Sequence, residues 1–381
     1  MTTGFADMAK RIKLAADYFA FFGPANDDPA SHIKRIYRSA ARIVHPDAHD
    51  GKPTWVQASE AFKRLGSFYA EADEMVGHGL YGQPKTVVTW TTKKGAHEVF
   101  RPLGNGDLCA TFNARTRLVS GGAQRITFCK VATRASDRDL LQTEVKALRL
   151  LRADHTDPDV HPFFPEVIDS FAHREAGKPA RQVNVLSALE GFYTLAEVSK
   201  AFPSGLKAIH MAWIWRRVLW ALGHAHKHGV IHGALLPSHV MILPEQHGLV
   251  LVDWCYASLL DDSGQFTPIK AAVGDYKDWY PKEVFAKQPP SPATDLIMAA
   301  RCMIELTGGN PLTGNYPPQA SIPKPFRAFF RGCLSSSPTA RPQDALQLLG
   351  EFDQLLQSLG RPYYPRKFIP FAMPKGLATN L

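Results

Sequence analysis

Residues 31–69 read SHIKRIYRSAARIVHPDAHDGKPTWVQASEAFKRLGSFY. Ile33, Ile36, Tyr37, Ala40 and Val44 recur at helical spacing, which predicts a helix from Ser31 to Val44 with one buried face. Lys34, Arg38 and Arg42 fall on its other face at four-residue intervals, with Arg35 beside them. No acid within the helix neutralises them, so they form a positive stripe; the ordinary fate of such a stripe is a solvated face. Pro46 cannot continue the helix and biases His45 towards an extended backbone. Pro53 and Thr54, with Gln57 three residues after the threonine, have the pattern of a capping box. The second helix then carries an apolar face of Trp55, Ala58, Phe62, Leu65 and Tyr69. Two amphipathic helices joined by a short loop make an antiparallel hairpin.

Further towards the N-terminus lies YFAFFG, residues 18–23. This segment, the basic helix, His45-Pro46-Asp47 and the second helix together resemble a J-domain of the DnaJ type, over roughly residues 10–75. The resemblance implies that His45, Pro46 and Asp47, with Lys34, Arg35, Arg38 and Arg42, dock on a DnaK-type heat-shock chaperone and stimulate its ATP hydrolysis. Charge supports an acidic partner for this surface. The plainer alternative is a small helical packing domain.

Towards the C-terminus the pattern changes near residue 80. Gly77-His78-Gly79 and Gly82-Gln83-Pro84 predict a linker. Short β-branched and aromatic runs follow at Thr86–Thr92, Ala110–Phe112, Arg125–Ala132 and Gln182–Ser187, and helical patterns return from about residue 205. Strands followed by helices predict a two-lobed α+β unit. A glycine pair, Gly104 and Gly106, sits in a strand–turn–strand setting. Lys130 lies inside an apolar strand, where it needs a partner. Glu144, on a helix expected from Asp139 to Leu151, supplies one.

This series resembles the N-terminal lobe of a protein kinase: glycine-rich loop, strand lysine, helix glutamate. Leu186 to Glu190 looks like the hinge. Residues 230–242, VIHGALLPSHVMI, resemble the catalytic loop, and Asp253 follows the strand at 249–252 where the family places its metal-binding aspartate. Tyr280-Pro281-Lys282-Glu283 looks like the Ala-Pro-Glu segment, Asp295 stands at the start of the central helix, and Glu283 and Arg341 are implied as a structural bridge. The likeness covers roughly residues 95–355.

The departures fall on the chemistry. Ala234 stands where the family has the aspartate that orients the substrate hydroxyl. Leu236 replaces the loop lysine, and His239 the asparagine that holds a second Mg²⁺. Cys109 takes the third glycine of the loop, and Trp254-Cys255 replace Phe-Gly. A hard Mg²⁺ ion prefers oxygen ligands. Loss of groups that work as a unit costs orders of magnitude in rate. The expectation is a pseudokinase without ordinary phosphotransfer, serving as a client- or partner-binding or nucleotide-sensing platform. Gly104, Gly106, Lys130, Glu144 and Asp253 are its candidate residues for ATP, with or without Mg²⁺, and Asp253 its candidate metal ligand. The rival is an unorthodox transferase moving a phosphoryl or nucleotidyl group with Lys130 and Asp253.

The expected organisation is multidomain α+β. A J-domain-like helical hairpin covers 1–76, a linker 77–85, a bilobal kinase-like domain 86–365 and a proline-rich tail 366–381. Composition is compatible with this. The 381 residues are 45% hydrophobic and 21% charged, which excludes wholesale disorder. No apolar run is long enough to span a bilayer, and Lys10, Arg11 and Lys13 are followed by no apolar signal core. Five dispersed cysteines fit reduced thiols in a cytoplasm. The formal charge of +9 suggests an acidic partner, with neither a membrane nor a nucleic acid expected. His224 and His228 share a helix face but lack a third metal ligand. Trp213, Trp215 and Trp220 are expected in the core.

Overall fold

A computed structural model of the chain describes residues 4–374 except 16, 26–27, 78–80, 83–85, 154–156, 247 and 368. It divides into two compact units, Met1–Lys85 and Thr86–Leu381. No helix among the described residues is long and apolar enough to cross a membrane.

The first unit is helical: α1 (Phe5–Leu14), α2 (Tyr18–Phe22), α3 (Pro29–Val44) and α4 (Trp55–Gly77). The expected hairpin is α3 with α4, and α1 and α2 add to it. Asp28 starts α3 by accepting the Ser31 amide at 3.1 Å, and Pro29 occupies the first turn, where its missing N–H costs nothing. Ile12, Phe21, Ile33, Val44 and Leu65 are fully buried and form the centre of the core. Two expectations need correction at the start of α4. Trp55 is 46% exposed rather than buried. The Thr54 hydroxyl meets His49 Nδ1 at 2.9 Å, so the side chain expected to cap α4 ties down the preceding loop. Of the expected linker, only Gly77, Tyr81 and Gly82 are described; the remainder lies outside the described residues. Gly77 closes α4. The Tyr81 hydroxyl donates to the Gly23 carbonyl at 2.9 Å and its ring packs on Tyr18 and Phe19, so Tyr81 belongs to the helical unit.

The second unit opens with β1 (Val88–Thr91), β2 (Gly95–Asn105), β3 (Cys109–Leu118), β4 (Arg125–Ala132), α5 (Arg138–Leu151), β5 (Val167–His173) and β6 (Arg181–Ser187). The six strands form one antiparallel sheet ordered β1-β2-β3-β4-β6-β5. The sequence reading missed β2, whose polar residues and two irregularities in register obscure the alternation. It also underestimated β3. The sheet's apolar face away from α5 buries Trp90, Val99, Ala114, Val183 and Val185.

The second half follows with β7 (Tyr193–Thr194), α6 (Leu195–Ala201), α7 (Ala208–Lys227), β8 (Val230–Ile231), β9 (Val240–Leu243), β10 (Gly248–Leu251) and β11 (Ser258–Leu259). It closes with α8 (Lys282–Phe285), α9 (Pro292–Leu306), α10 (Lys324–Gly332) and α11 (Ala345–Leu359). α7 and α9 are largely apolar, and Trp215 is wholly buried among Phe329, Phe330 and Phe352. Trp220, expected in the core, is 47% exposed. The expected tail is anchored over its first residues: Arg366 pairs with Asp353 at 2.6 Å and Phe371 packs on Phe202 and His210. Residues 375–381 lie outside the described residues.

Candidate functional site

Two arrangements of functional side chains stand out, one in each unit. In the first, α3 ends at His45, whose extended backbone (φ −63°, ψ 130°) turns the chain into a short 3₁₀ turn over Pro46–His49. His45 Nδ1 accepts the Asp47 amide at 3.3 Å, and the ring packs edge-on against Phe62 of α4 with centroids 4.8 Å apart. Asp47 remains solvated, its side chain 90% exposed. His49, which the sequence reading did not single out, braces the far end of the loop. Its Nε2 meets the Ile43 carbonyl at 3.0 Å while its Nδ1 meets Thr54. The turn is therefore held at both ends by imidazole rings and presents its acid outward.

Beside it, Lys34, Arg35, Arg38 and Arg42 are all exposed and line a shallow groove of about 520 Å³ with Ser31, Ser39 and Ile43. Among the described residues no carboxylate lies within ion-pair distance of these four cations. Arg35 makes a polar contact with His32, at 3.5 Å. An unneutralised positive row next to a braced, acid-bearing turn is suited to steering and seating an acidic protein surface.

In the second unit the candidate residues converge in the interior. Lys130 on β4 is 4% exposed. Its Nζ donates to Glu144 Oε1 of α5 at 2.7 Å, to Asp253 Oδ1 at 2.7 Å and to Cys255 Sγ at 3.2 Å. Glu144 is held in turn by Asn184 of β6, whose amide reaches Oε2 at 2.9 Å and the Leu141 carbonyl at 2.8 Å. Asp253 has a left-handed backbone (φ 64°), a conformation that Asp tolerates better than most residues. Its other oxygen lies 3.2 Å from His239 Nε2. The remaining nitrogen of that ring meets the Ala234 carbonyl at 2.7 Å.

Burial alone would pull the Lys130 ammonium down, but the carboxylates of Asp253 and Glu144 around it hold it well above its ordinary range. Burial likewise opposes ionisation of Asp253, yet Lys130 and His239 hold its carboxyl far below the usual range. Burial pushes the Cys255 thiol up, and the Cys109 thiol up to about 12, so both stay protonated and are poor nucleophiles.

Ala234 is fully buried and offers no proton acceptor. Its loop is braced from behind by Asp295 at the start of α9, which accepts the His232 amide at 2.8 Å, the Gly233 amide at 2.9 Å and His226 Nε2 at 2.9 Å. His232 is buried against Trp254 and reaches the Val252 carbonyl at 3.0 Å. Glu283 and Arg341 form a two-pronged ion pair. His226 is thus committed to Asp295, His224 to the Leu151 carbonyl at 3.2 Å, and His228 to the His224 carbonyl at 2.8 Å. These three histidines do not converge on a metal site.

Gly104 and Gly106 lie at the β2–β3 turn, where the Thr111 hydroxyl donates to the Gly104 carbonyl at 3.1 Å. The Gly106 amide closes the β2–β3 hairpin on the Cys109 carbonyl at 2.9 Å. Neither glycine has a left-handed backbone, and Gly104 has open space where a Cβ would stand. The turn itself does not require either glycine.

Glu144, Asp253 and Cys255 bring potential ligand atoms within 4.8 Å of one another. The Lys130 ammonium is bonded to all three, however, and His239 faces the second Asp253 oxygen. An oxygen-seeking Mg²⁺ ion does not fit this set, because both Asp253 oxygens already face protein nitrogen.

No family model matches this chain. Over 58 residues it is 40% identical to the proteins named Chaperone protein DnaJ 1 of Mycobacterium bovis and of Mycobacterium tuberculosis. The matched stretch is 15% of this chain and 14% of each relative, so the chain spans only about a seventh of the length of those relatives. The likeness supports a J-domain-like region and does not extend to the rest of the chain.

Proposed function

We propose that this chain is a J-domain co-chaperone that recruits a DnaK-type chaperone and stimulates its ATPase. The observation that carries the reading is the braced His45-Pro46-Asp47 turn beside four unneutralised cations, in a chain whose curated relatives are DnaJ proteins. On this reading His45, Pro46 and Asp47 engage the chaperone and the α3 cations steer it. A cytoplasmic setting accords with five cysteines that are all free.

The second unit, in the same proposal, is a protein-kinase-like domain that no longer performs ordinary phosphotransfer and serves as a platform for a client or partner. The Lys130–Glu144 pair, Asp253 after β10 and the Glu283–Arg341 pair support the family likeness. Ala234 and the occupied oxygens of Asp253 support the loss of activity. Nucleotide phosphates would enter only by competing with Asp253 for Lys130, so a nucleotide-sensing platform would work without Mg²⁺. Calorimetric titration of ATP into the whole chain, with and without Mg²⁺, tests this part.

The experiment for the whole reading is steady-state ATP hydrolysis by a purified DnaK-type chaperone, with and without this protein. Stimulation is expected with the native chain and a return to the chaperone's basal rate with His45→Gln, in a variant that keeps its helical circular dichroism. Stimulation that survives the substitution overturns the assignment. The transferase alternative has one observation in its favour, the intact contact of Lys130 with both Glu144 and Asp253. It requires label transfer from ATP that disappears in Asp253→Asn; absence of transfer removes it.

A further inference from the structure

A second groove, of about 480 Å³, runs between α5 and the end strand of the sheet, well separated in sequence from the ion cluster's loops. Its outer wall is the solvent-facing row of α5: Arg138, Lys146 and Arg149, all exposed. Among the described residues none of the three has a carboxylate within ion-pair distance. The acids on the same helix are engaged elsewhere: Asp139 with Lys270 at 2.6 Å, and Glu144 with Lys130 inside the fold. The groove therefore presents positive charge that no carboxylate among the described residues balances.

The opposite wall is β5, the last strand of the sheet; among the described residues no strand pairs with its outer edge, although near its start Lys94 Nζ donates to the Ile168 carbonyl at 3.3 Å. Ser170 and Gln182 join there by a hydrogen bond of 2.8 Å, and Ala172, exposed and small, leaves the space that deepens the groove. Val145 forms an apolar patch between the walls. A sheet edge offers unpaired backbone to an extended segment, while alternate side chains of that segment meet the walls. Arg138 to Arg149 span roughly 16 Å at 1.5 Å per residue. That length matches about five residues of extended chain.

We propose that this groove binds an acidic, extended peptide segment of a partner protein, laid along β5 with its carboxylates on Arg138, Lys146 and Arg149. The proposal gives the platform of the preceding section a ligand class and rests on that reading.

The test is fluorescence anisotropy of the whole chain with a labelled pool of eight-residue peptides, random in Glu, Asp, Val, Thr and Ser. A matching pool with Lys and Arg in place of the acids is the control. The acidic pool is expected to bind, more weakly as salt rises, and the basic pool not to bind. K146E/R149E should weaken binding at least tenfold. Ala172→Trp, which fills the groove without touching charge, should do the same. Arg38→Glu, on the other basic groove, should leave peptide binding unchanged. No binding of the acidic pool, or a loss that follows Arg38→Glu instead, overturns the proposal. Chaperone stimulation measured on K146E/R149E separates the two readings. A variant that stimulates normally but has lost the peptide leaves the co-chaperone assignment in place, whereas native chain that binds peptide but never stimulates removes that assignment and keeps the groove.

Discussion

The cations of α3 and Lys130 of β4 have opposite surroundings. Lys34, Arg35, Arg38 and Arg42 stand in solvent, with no acid among the described residues within ion-pair distance. Lys130 is buried and meets two carboxylates and a thiol. A buried charge has to be balanced from within its own fold, because desolvation without a partner costs several kcal/mol. A solvated charge has no such need and is free to serve another molecule. The comparison shows where to look for partners: on surfaces whose charges the chain leaves unbalanced, such as the stripe of α3 and the row on α5.

Substitutions test that contrast from both sides. The largest effect on stability is expected from Lys130→Ala, which leaves Glu144 and Asp253 facing each other in the interior. The second unit should lose about 3–5 kcal/mol in urea unfolding, while the first unit's transition stays in place. A loss below about 1 kcal/mol would mean the cluster is not an internally balanced one.

Acid should act next. Burial pulls the His232 imidazole down to about 4 in the folded chain, against roughly 6.5 when unfolded. The native state keeps this ring neutral, so its contribution is fully present above about pH 6.5 and is lost as pH falls towards about 4. Over that window the second unit should lose up to about 3 kcal/mol. Unfolding curves at pH 7 and 4.5 check the slope, and His232→Gln should flatten it. Asp169 adds to the same trend at lower pH. Burial opposes its charge, but bonds from Thr92, His97 and the Ser170 amide outweigh this and hold its carboxyl below the usual range. Its stabilisation is present above the unfolded carboxylate value and lost below it.

Asp295→Asn should cost less, about 1–3 kcal/mol, because the amide keeps one acceptor for the His232 or Gly233 amide and loses the charged contact with His226. The smallest effect belongs to Arg38→Ala. Exposed, and without an ion pair among the described residues, it should change stability by no more than about 0.5 kcal/mol, yet reduce chaperone stimulation in a way that higher salt mimics. Equal loss of stability and stimulation would place Arg38 among the structural charges and erase the contrast.

Much of this was legible in local sequence. The period of Ile33, Ile36, Ala40 and Val44 placed α3, and Pro46 placed its end. The apolar run around Lys130 marked a buried strand and Glu144 its partner. Less legible were features that depend on another segment. β2 is disguised by bulges that only its pairing with β3 reveals. Trp55 and Trp220 are apolar residues at helical spacing that the fold leaves about half exposed. Thr54 looked like a cap and holds His49 instead.

Local chemistry along the chain thus placed the hairpin of α3 and α4, the turn at Pro46 and the apolar strand that carries Lys130. These follow from the chemistry of near neighbours along the chain. Which charges are balanced emerged from contacts between distant segments. Asp253 meets Lys130 and His239, and Asp295 meets His226 and His232, across long stretches of sequence. Ion pairing falls off within a few ångströms in space and is indifferent to separation along the chain, so the division between charges kept for the fold and charges left for a partner appears only once the chain has folded.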